Sequence, residues 1–244
     1  MPHPLRIARP TDPFLRYVFD AESVLDYRIE ADHVGFLRPG RRGGELWVSV
    51  LGDDPARACV LIDELSAGHA IDGIHVHADV YSRLPERLTI PDPGHWSMWT
   101  LTPRDVPAEL AAWASGAVQL ASDDGRIDSL LAHSESAYLF AGDPSVHRWV
   151  GVVQDEKLIG VGGESVIAGG VPHLVSVCTS PEWRGKGVAR TVTASLVEGA
   201  FARGAAEVYL EMYADNEAAA HLYRRLGFRE AGRYRSGFLP GRDA

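Results

Sequence analysis

The chain has 244 residues, of which 45% are hydrophobic and 23% charged, so it carries enough apolar side chains to bury a core. This composition excludes an intrinsically disordered chain, and the length allows one large domain or two small ones. The formal net charge of −9 argues against a uniformly basic nucleic-acid-binding protein, because neutralising phosphates requires a surplus of lysine and arginine.

The cysteines and the N-terminal residues bear on metal content and compartment. Cys59 and Cys178 stand outside any CxxC or Cys/His ligand spacing, which gives no support to structural zinc or a disulfide framework. The N-terminal residues MPHPLRIARPTDPF contain no apolar stretch typical of a secretory leader, and no run approaches the roughly 18 apolar residues of a membrane helix. We therefore predict a soluble, cytoplasmic protein with no metal, no membrane association and no nucleic-acid partner.

The first half of the chain is rich in proline and follows a strand–helix–strand–strand pattern. Glu45–Gly52 alternates like a strand, and Asp53-Asp54-Pro55 resembles a helix start with an acidic cap and proline in the first turn. Helical spacing of apolar residues continues to Leu65. Ile74–Val80 and His95–Leu101 alternate again, which predicts two further strands.

A polar segment then marks the most favourable domain boundary. A helix is predicted from Pro107 to about Val118, and the residues after it, Ala121–Arg126 (ASDDGR), are polar and contain glycine. We therefore predict an N-terminal α/β domain of residues 1–121 and a second domain of residues 122–244.

The second half has a more regular order of elements. Four strands are predicted, in chain order Arg148–Gln154, Lys157–Ile167, His173–Thr179 and Glu207–Tyr213. A helix from about Gly187 to Arg203 follows the third strand, and another from about Asn216 to Leu226 follows the fourth. Gly227 stands where a left-handed C-cap would end that helix, and Phe228–Phe238 returns as one or two final strands.

A glycine-rich turn joins the third of these strands to the helix that follows. Its sequence, Arg184-Gly185-Lys186-Gly187-Val188-Ala189, places glycines and basic side chains before a helix N-terminus, where unpaired amides and the helix dipole favour an anion. The turn is not a P-loop, because it lacks the G-x-x-x-x-G-K-[ST] spacing, and the acidic ribose partner of a dinucleotide-binding GxGxxG turn has no evident counterpart. The pattern therefore predicts an anion site of another kind.

Two motifs of the second half resemble those of the GNAT superfamily of acetyl-CoA-dependent N-acetyltransferases. The turn is similar to the family's pyrophosphate-binding motif, Arg/Gln-x-x-Gly-x-Gly/Ala, through Arg184, Gly187 and Ala189. Residues 216–228 resemble the family signature N-x-x-A-x-x-L-Y-x-x-x-G-F. The resemblance spans roughly residues 130–244 and implies an α/β (α+β) fold with a mixed, mainly antiparallel sheet flanked by helices.

The resemblance also implies acetyl-CoA as co-substrate and an amine as acceptor. The pantetheine arm would pair with the backbone of Val177, Cys178 and Thr179, the strand residues before the turn. Arg184 and Asn216 are implied as cofactor contacts, and Tyr223 matches the family tyrosine that supplies a proton to the departing thiolate. The pyrophosphate would lie on the backbone amides of the turn and the first helical turn, which belong to Gly185, Lys186, Gly187, Val188, Ala189 and Arg190.

Several residues are candidates for the general base that accepts the proton of the acceptor amine. Glu211 stands in the pattern L-E-x-x-x-x-N, which resembles GNAT enzymes that acetylate the N-termini of ribosomal proteins, where the strand glutamate is the base. Strand alternation turns Glu211 away from the apolar face of its strand, although a solvated edge glutamate would show the same pattern. Glu164 and His173 on neighbouring strands are the alternatives, and a chain of water molecules is another.

Two further groups of polar residues are interpreted as structural. No His/Asp partner is suggested near Cys178, so a small strand residue explains it better than a covalent nucleophile. His75 and His77 place two imidazoles on one strand face, but without a third ligand in sight a structural role is favoured over a metal site.

We expect the protein to transfer acetyl from acetyl-CoA to a primary amine of a small molecule or a protein, by direct attack on the thioester. The alternatives are a different acyl-CoA donor and a non-catalytic acyl-CoA-binding module that regulates a partner. The strand–helix–strand order at residues 45–80 is similar to the centre of the same fold, so we hypothesise a tandem arrangement with a degenerate N-terminal half. The acidic balance favours a cationic acceptor, such as a polyamine, an aminoglycoside or a protein amine.

Overall fold

The computed structural model describes residues 2–40, 44–166 and 170–241. Its helices are α1 (Pro4–Ala8), α2 (Pro55–Ser66), α3 (Ala78–Tyr81), α4 (Leu110–Ala114), α5 (Arg126–Leu131), α6 (Val188–Ala202) and α7 (Glu217–Arg225). Its strands are β1 (Asp26–Glu30), β2 (His33–Pro39), β3 (Leu46–Leu51), β4 (Gly73–His77), β5 (Gly94–Leu101), β6 (Val118–Leu120), β7 (Val146–Gln154), β8 (Lys157–Val166), β9 (Pro172–Thr179), β10 (Val208–Tyr213) and β11 (Arg229–Phe238).

The chain forms two compact units that are not contiguous in sequence. Unit 1 comprises Met1–Ser97, Tyr213–Asp215 and Gly232–Ala244, and unit 2 comprises Met98–Met212 and Asn216–Ala231. This division differs from the predicted boundary between residues 121 and 122, because residues 98–121 belong to unit 2 and most of β11 belongs to unit 1.

Unit 1 is a sheet of order β1-β2-β3-β4-β11 with one helix connecting two parallel strands. Every neighbouring pair in this order is antiparallel except β3 and β4, which are joined through α2. As predicted, α2 begins after Asp54, whose carboxylate accepts a hydrogen bond of 2.8 Å from the Ala56 amide. Its buried face, including Leu61 and Leu65, packs into the same apolar cluster as Val48 and Ile74 of the sheet.

Unit 2 has the strand order β5-β10-β9-β8-β7-β6, with β5 contributing from Met98 onward. Strands β6 to β9 are mutually antiparallel, and β9 and β10 are parallel and joined through α6. Helix α6 buries Val192 and Leu196 with Leu210 of the sheet, while α5 buries Ile127 in a separate cluster with Trp149. The predicted mixed, mainly antiparallel sheet flanked by helices is thus confirmed.

Two predicted elements of the first half were wrong in extent. The strand predicted over Ile74–Val80 ends at His77, where the chain turns into α3 and buries Val80 beside the residues of α2. The helix predicted from Pro107 to Val118 is limited to Leu110–Ala114, and Val118 begins a strand instead. Gly116, a poor helix former, lies between these two elements.

The elements of the second half lie close to their predicted bounds. The β7–β8 hairpin turns at Asp155 and Glu156, which have φ of 49° and 65°. Gly227 has φ of 90° directly after α7, the left-handed conformation that ends a helix, and β11 is a single strand. Part of the predicted span Lys157–Ile167 lies outside the described residues at Ile167.

Candidate active site

Strands β9 and β10 diverge part-way along their length. Their parallel pairing consists of Tyr209 with His173 and Leu210 with Leu174, and no pairing of residues 175–179 with β10 occurs in the described part of the chain. Ser176 has φ of 51°, and at this point the register between β8 and β9 shifts. A β-bulge re-aims the strand that contains it, so the edge of β9 beyond Leu174 is left open. We call this opening the fork.

The fork exposes the backbone of the strand segment predicted to bind pantetheine. Val177 and Thr179 are half-buried, and the hydroxyl oxygen of Thr179 is buried without a hydrogen-bond partner among the described residues. Cys178 points the other way: its thiol donates to the Leu130 carbonyl at 3.4 Å. Burial raises the pKa of the Cys178 thiol, which keeps it protonated and disfavours a nucleophilic role.

The turn after β9 adopts a conformation that requires its glycines. Gly185 has φ of 74° and Gly187, the N-cap of α6, has φ of 86°. Residues with a Cβ are disfavoured in this region, whereas glycine enters it freely. The amides of the first turn of α6, at Val188, Ala189 and Arg190, have no acceptor within the helix itself. The turn and the helix start therefore form a cradle of amide donors, which we call the amide cradle.

Three cations surround the amide cradle and are held by neighbouring groups of unit 2. The Arg184 guanidinium donates to the His133 carbonyl at 3.4 Å. The Lys186 ammonium lies 4.7 Å from the Trp183 ring centre, and the Arg190 guanidinium lies 5.1 Å from that of Trp113. These cation–π contacts orient positive charge without neutralising it, so the cradle favours a polyanionic ligand.

Helix α7 carries the second sequence motif. Asn216 is its N-cap, and its side-chain oxygen accepts a hydrogen bond of 3.0 Å from the Ala219 amide. Tyr223 is buried, with its ring centre 5.6 Å from that of Phe228. Burial raises the pKa of Tyr223 to about 12, so the phenol keeps its proton throughout the neutral range.

Glu211 and His173 come together at the fork. The Glu211 carboxylate oxygen Oε2 lies 3.8 Å from Nε2 of His173, a distance of charge pairing rather than of a hydrogen bond. His173 is buried and stacks on Tyr209, with ring centres 4.3 Å apart and planes 5° from parallel. The Glu211 side chain is 21% exposed, so it contacts both the buried imidazole and solvent.

Glu164, another candidate base, is placed elsewhere. It is buried on β8, and both of its carboxylate oxygens accept hydrogen bonds from the Arg203 guanidinium just after α6. Both contacts come from the Nη2 atom of Arg203, and a buried carboxylate held by a guanidinium in this way is committed to that ion pair. Of the two carboxylates considered from the sequence, only Glu211 lies beside the fork.

His75 and His77 make structural contacts in unit 1. The His75 ring is buried and stacks on Tyr234, with ring centres 4.9 Å apart. Nε2 of His77 lies 3.2 Å from Oδ2 of Asp12, and the other carboxylate oxygen of Asp12, Oδ1, accepts a hydrogen bond from the Phe14 amide. No group of three or more potential metal ligands among the described residues includes either imidazole.

Sequence analysis missed the residue that creates the fork. Ser176 carries no signal for a bulge, since serine is not typical of positive φ, and the shift becomes visible only once β8 and β9 are paired. His133 and Trp113, which hold cations of the amide cradle, were also missed because they are distant in sequence. None of the described helices is long and apolar enough to cross a membrane.

The amino-acid sequence is similar to those of known acetyltransferases. The family model for the acetyltransferase (GNAT) family matches residues 108–228. The N-alpha-acetyltransferase RimI of Mycobacterium tuberculosis is 33% identical over 136 residues, which cover 49% of this chain and 84% of that protein. The N-alpha-acetyltransferase 30 of Schizosaccharomyces pombe is 43% identical over 72 residues, covering 30% of this chain and 48% of that protein.

Two solved structures resemble the chain over nearly its whole length. A GCN5-related N-acetyltransferase from Kribbella flavida has a TM-score of 0.59 and 19% identity, and the match covers 99% of this chain and 97% of that one. A putative GNAT acetyltransferase from Novosphingobium aromaticivorans has a TM-score of 0.55 and 22% identity, covering 92% and 93% of the two chains. These matches show that the fold recurs in solved proteins.

Proposed function

This chain belongs to the GNAT acetyltransferase family, and from that premise we propose that unit 2 transfers acetyl from acetyl-CoA to the α-amine of a polypeptide. Acetyl transfer to an amine, with acetyl-CoA as co-substrate, follows from membership of the family. The observation that carries the proposed mechanism is the succession of two features along one segment, the fork at Leu174 and the amide cradle at Gly187.

The two features match two successive parts of the coenzyme, the pantetheine arm and the pyrophosphate. Pantetheine is an extended chain with amide groups, and it would pair with the open backbone edge of Val177–Thr179 as an added strand. The pyrophosphate would then lie on the amides from Gly185 to Arg190, where the helix dipole and three cations favour it. The unpartnered Thr179 hydroxyl is available to a polar group of the same ligand.

Proton removal from the acceptor is assigned to Glu211. An ammonium group cannot attack a thioester, so a base must accept its proton before or during attack. The Glu211 carboxylate lies one residue beyond Leu210, the last residue of β10 paired with β9, and is partly exposed. Glu164 is less suited to this role, because Arg203 holds its carboxylate.

The remaining steps use hydrogen-bond donors. The amine nitrogen forms the new C–N bond as the C–S bond breaks, and then loses its second proton to water. A backbone N–H of β9 donates to the carbonyl oxygen as negative charge develops there. The Tyr223 phenol donates to the departing thiolate. Since the pKa of Tyr223 is raised to about 12 and that of a thiol is about 8.5, the phenol stabilises the thiolate as a donor, and the thiol gains its proton from solvent on release.

The choice of an α-amine acceptor rests on a sequence pattern and on two proteins of similar sequence. Glu211 and Asn216 complete the L-E-x-x-x-x-N pattern, which resembles enzymes that acetylate protein N-termini. Both RimI of Mycobacterium tuberculosis and N-alpha-acetyltransferase 30 of Schizosaccharomyces pombe are named as N-alpha-acetyltransferases.

A panel of acceptors tests the proposed substrate class. We expect acetyl-CoA-dependent acetylation, measured by mass spectrometry, of lysine-free peptides with a free N-terminus. The same peptides with a blocked N-terminus and one internal lysine, and spermidine as a polyamine, should react at least about tenfold more slowly, a difference of about 1.4 kcal/mol in transition-state binding. Preferred acetylation of the lysine peptide or of spermidine would show that the acceptor is not an α-amine.

Replacement of Tyr223 by phenylalanine tests the leaving-group step. We expect Tyr223→Phe to lower kcat by about 100-fold, the scale of losing one donor to a developing anion, while the Kd for acetyl-CoA stays within about twofold. Tyr234→Phe is the matched control, since Tyr234 is a buried tyrosine of unit 1 and should leave kcat unchanged. Equal losses of turnover and of acetyl-CoA affinity in Tyr223→Phe would contradict a role in the chemical step.

A further inference from the structure

The two units repeat one order of elements. In unit 2, the antiparallel strands β7, β8 and β9 lead through α6 to β10, which lies parallel to β9. In unit 1, the antiparallel strands β1, β2 and β3 lead through α2 to β4, which lies parallel to β3. The junction of β3 with α2 in unit 1 therefore corresponds to the amide cradle of unit 2.

The counterpart of the fork is closed in unit 1. Strand β3 pairs with β4 at four successive positions, from Trp47 with Gly73 to Val50 with Val76. Strand β3 ends one residue later, at Leu51, so its edge has no open segment comparable with the last residues of β9. An extended ligand could pair with β3 only by displacing β4.

The counterpart of the amide cradle is filled by a side chain. Gly52–Asp54 forms the junction, and Nε2 of His33 lies 3.2 Å from the Asp53 amide nitrogen and 2.9 Å from that of Asp54. The imidazole is 3% exposed, and a Cβ on Gly52 would collide with it. Pro55, the next residue, has no N–H to offer.

The hydrogen bonds of His33 identify its protonation state. Two amide N–H groups donate to Nε2, at 3.2 and 2.9 Å, which are shorter than the 3.5 Å from Nε2 to an Asp53 carboxylate oxygen, so Nε2 is assigned as the acceptor. Nδ1 lies 2.8 Å from an Asp32 carboxylate oxygen and is assigned as the donor to it. The junction in unit 1 carries the Asp53 and Asp54 carboxylates, whereas the turn in unit 2 carries the cations Arg184 and Lys186. A phosphate would meet an occupied pair of amides and two anions.

We infer that the chain binds one acyl-CoA, in unit 2, and that the neutral His33 imidazole occupies in unit 1 the place that the pyrophosphate takes in unit 2. The identity of the ligand rests on the proposed function, whereas the occupation of the junction by His33 does not. Unit 1 is then a copy of the acyl-CoA-binding fold in which β4 covers the counterpart of the fork and His33 occupies the counterpart of the amide cradle.

Titration calorimetry of the full chain with acetyl-CoA tests the stoichiometry. We expect one equivalent per chain in the wild type, and at least about tenfold weaker binding of that equivalent in Gly187→Leu and in the charge-reversed variant Lys186→Glu, which leaves the backbone of the turn unchanged. His33→Ala should still bind one equivalent, but with a Tm several degrees lower, because two amides lose their acceptor. His69→Ala, at an exposed position of unit 1, is the control and should keep the Tm.

Nitrogen NMR of the histidine side chains tests the imidazole independently of any ligand. We expect His33 to carry its proton on Nδ1, with Nε2 shifted as an unprotonated acceptor. A proton on Nε2 at neutral pH, a second bound equivalent of acetyl-CoA, or wild-type affinity for acetyl-CoA in both cradle variants would each overturn the inference. Absence of binding in the wild type, with His33 protonated on Nδ1, would overturn the proposed function and the single-site stoichiometry but uphold the His33 contact.

Discussion

Glu211→Gln is expected to lower kcat/KM by about 100- to 1,000-fold, the range typical of removing a positioned general base. The amide has nearly the same shape as the carboxylate but cannot accept a proton from the acceptor ammonium group. Because Glu211 lies on β10 and not on the amide cradle, the Kd for acetyl-CoA should change by less than about twofold. Steady-state rates with a free N-terminal peptide, paired with calorimetry, measure both quantities.

Two variants separate loss of the base from other effects of removing a carboxylate. Glu198→Gln removes an exposed carboxylate from α6 and should leave kcat/KM unchanged. Glu164→Gln leaves the Arg203 guanidinium without its carboxylate partner, so we expect a lower Tm. A Glu211→Gln enzyme that keeps more than about a tenth of the wild-type rate would favour a water chain or His173 as the proton acceptor.

Gly187→Leu is expected to weaken acetyl-CoA binding by about 10- to 100-fold. A leucine at φ of 86° costs about 1–2 kcal/mol, so the turn would move and carry the amides of Val188 and Ala189 out of position. Each 1.4 kcal/mol of lost binding energy is about tenfold in Kd. Calorimetric titration with acetyl-CoA gives the Kd directly.

Gly204→Leu is the matched control for this substitution. Gly204 also has a positive φ, of 89°, and lies beyond the other end of α6 with no atom near the position of a Cβ. It should therefore show a similar loss of stability without a loss of acetyl-CoA affinity. Unchanged affinity in Gly187→Leu, or equal weakening in both variants, would show that the amide cradle does not contribute to acetyl-CoA binding.

The elements around α6 could be predicted because their signals are local. The apolar spacing of Val188, Val192 and Leu196 predicts a helix over 187–203, and the helix spans Val188–Ala202. The glycine at its start is visible in the sequence because a left-handed N-cap strongly favours that residue. By contrast, the strand predicted over Ile74–Val80 stops at His77, because burial of Val80 against α2 favours a helical turn there.

The fork and the contact between Glu211 and His173 depend on pairing between distant strands. The bulge at Ser176 exists only relative to β8, and the distance from Glu211 to His173 follows from the parallel register of β9 and β10. A strand pattern gives the face of a residue but not its partner across the sheet. Sequence analysis could therefore identify Glu211 and His173 separately as alternative bases, but it could not predict that the two side chains lie side by side.

The placement of β11 in unit 1 has a consequence for biosynthesis. His77 of β4 finds its partner in the sheet, Tyr234, only after all the residues between them have been synthesised. Although most of unit 1 precedes unit 2 in the chain, its sheet is completed only after unit 2 has been synthesised, and the backbone edge of β4 stays exposed in the meantime. Deleting β11 would remove that partner from unit 1, so residues 1–97 are not a natural fragment for expression by themselves.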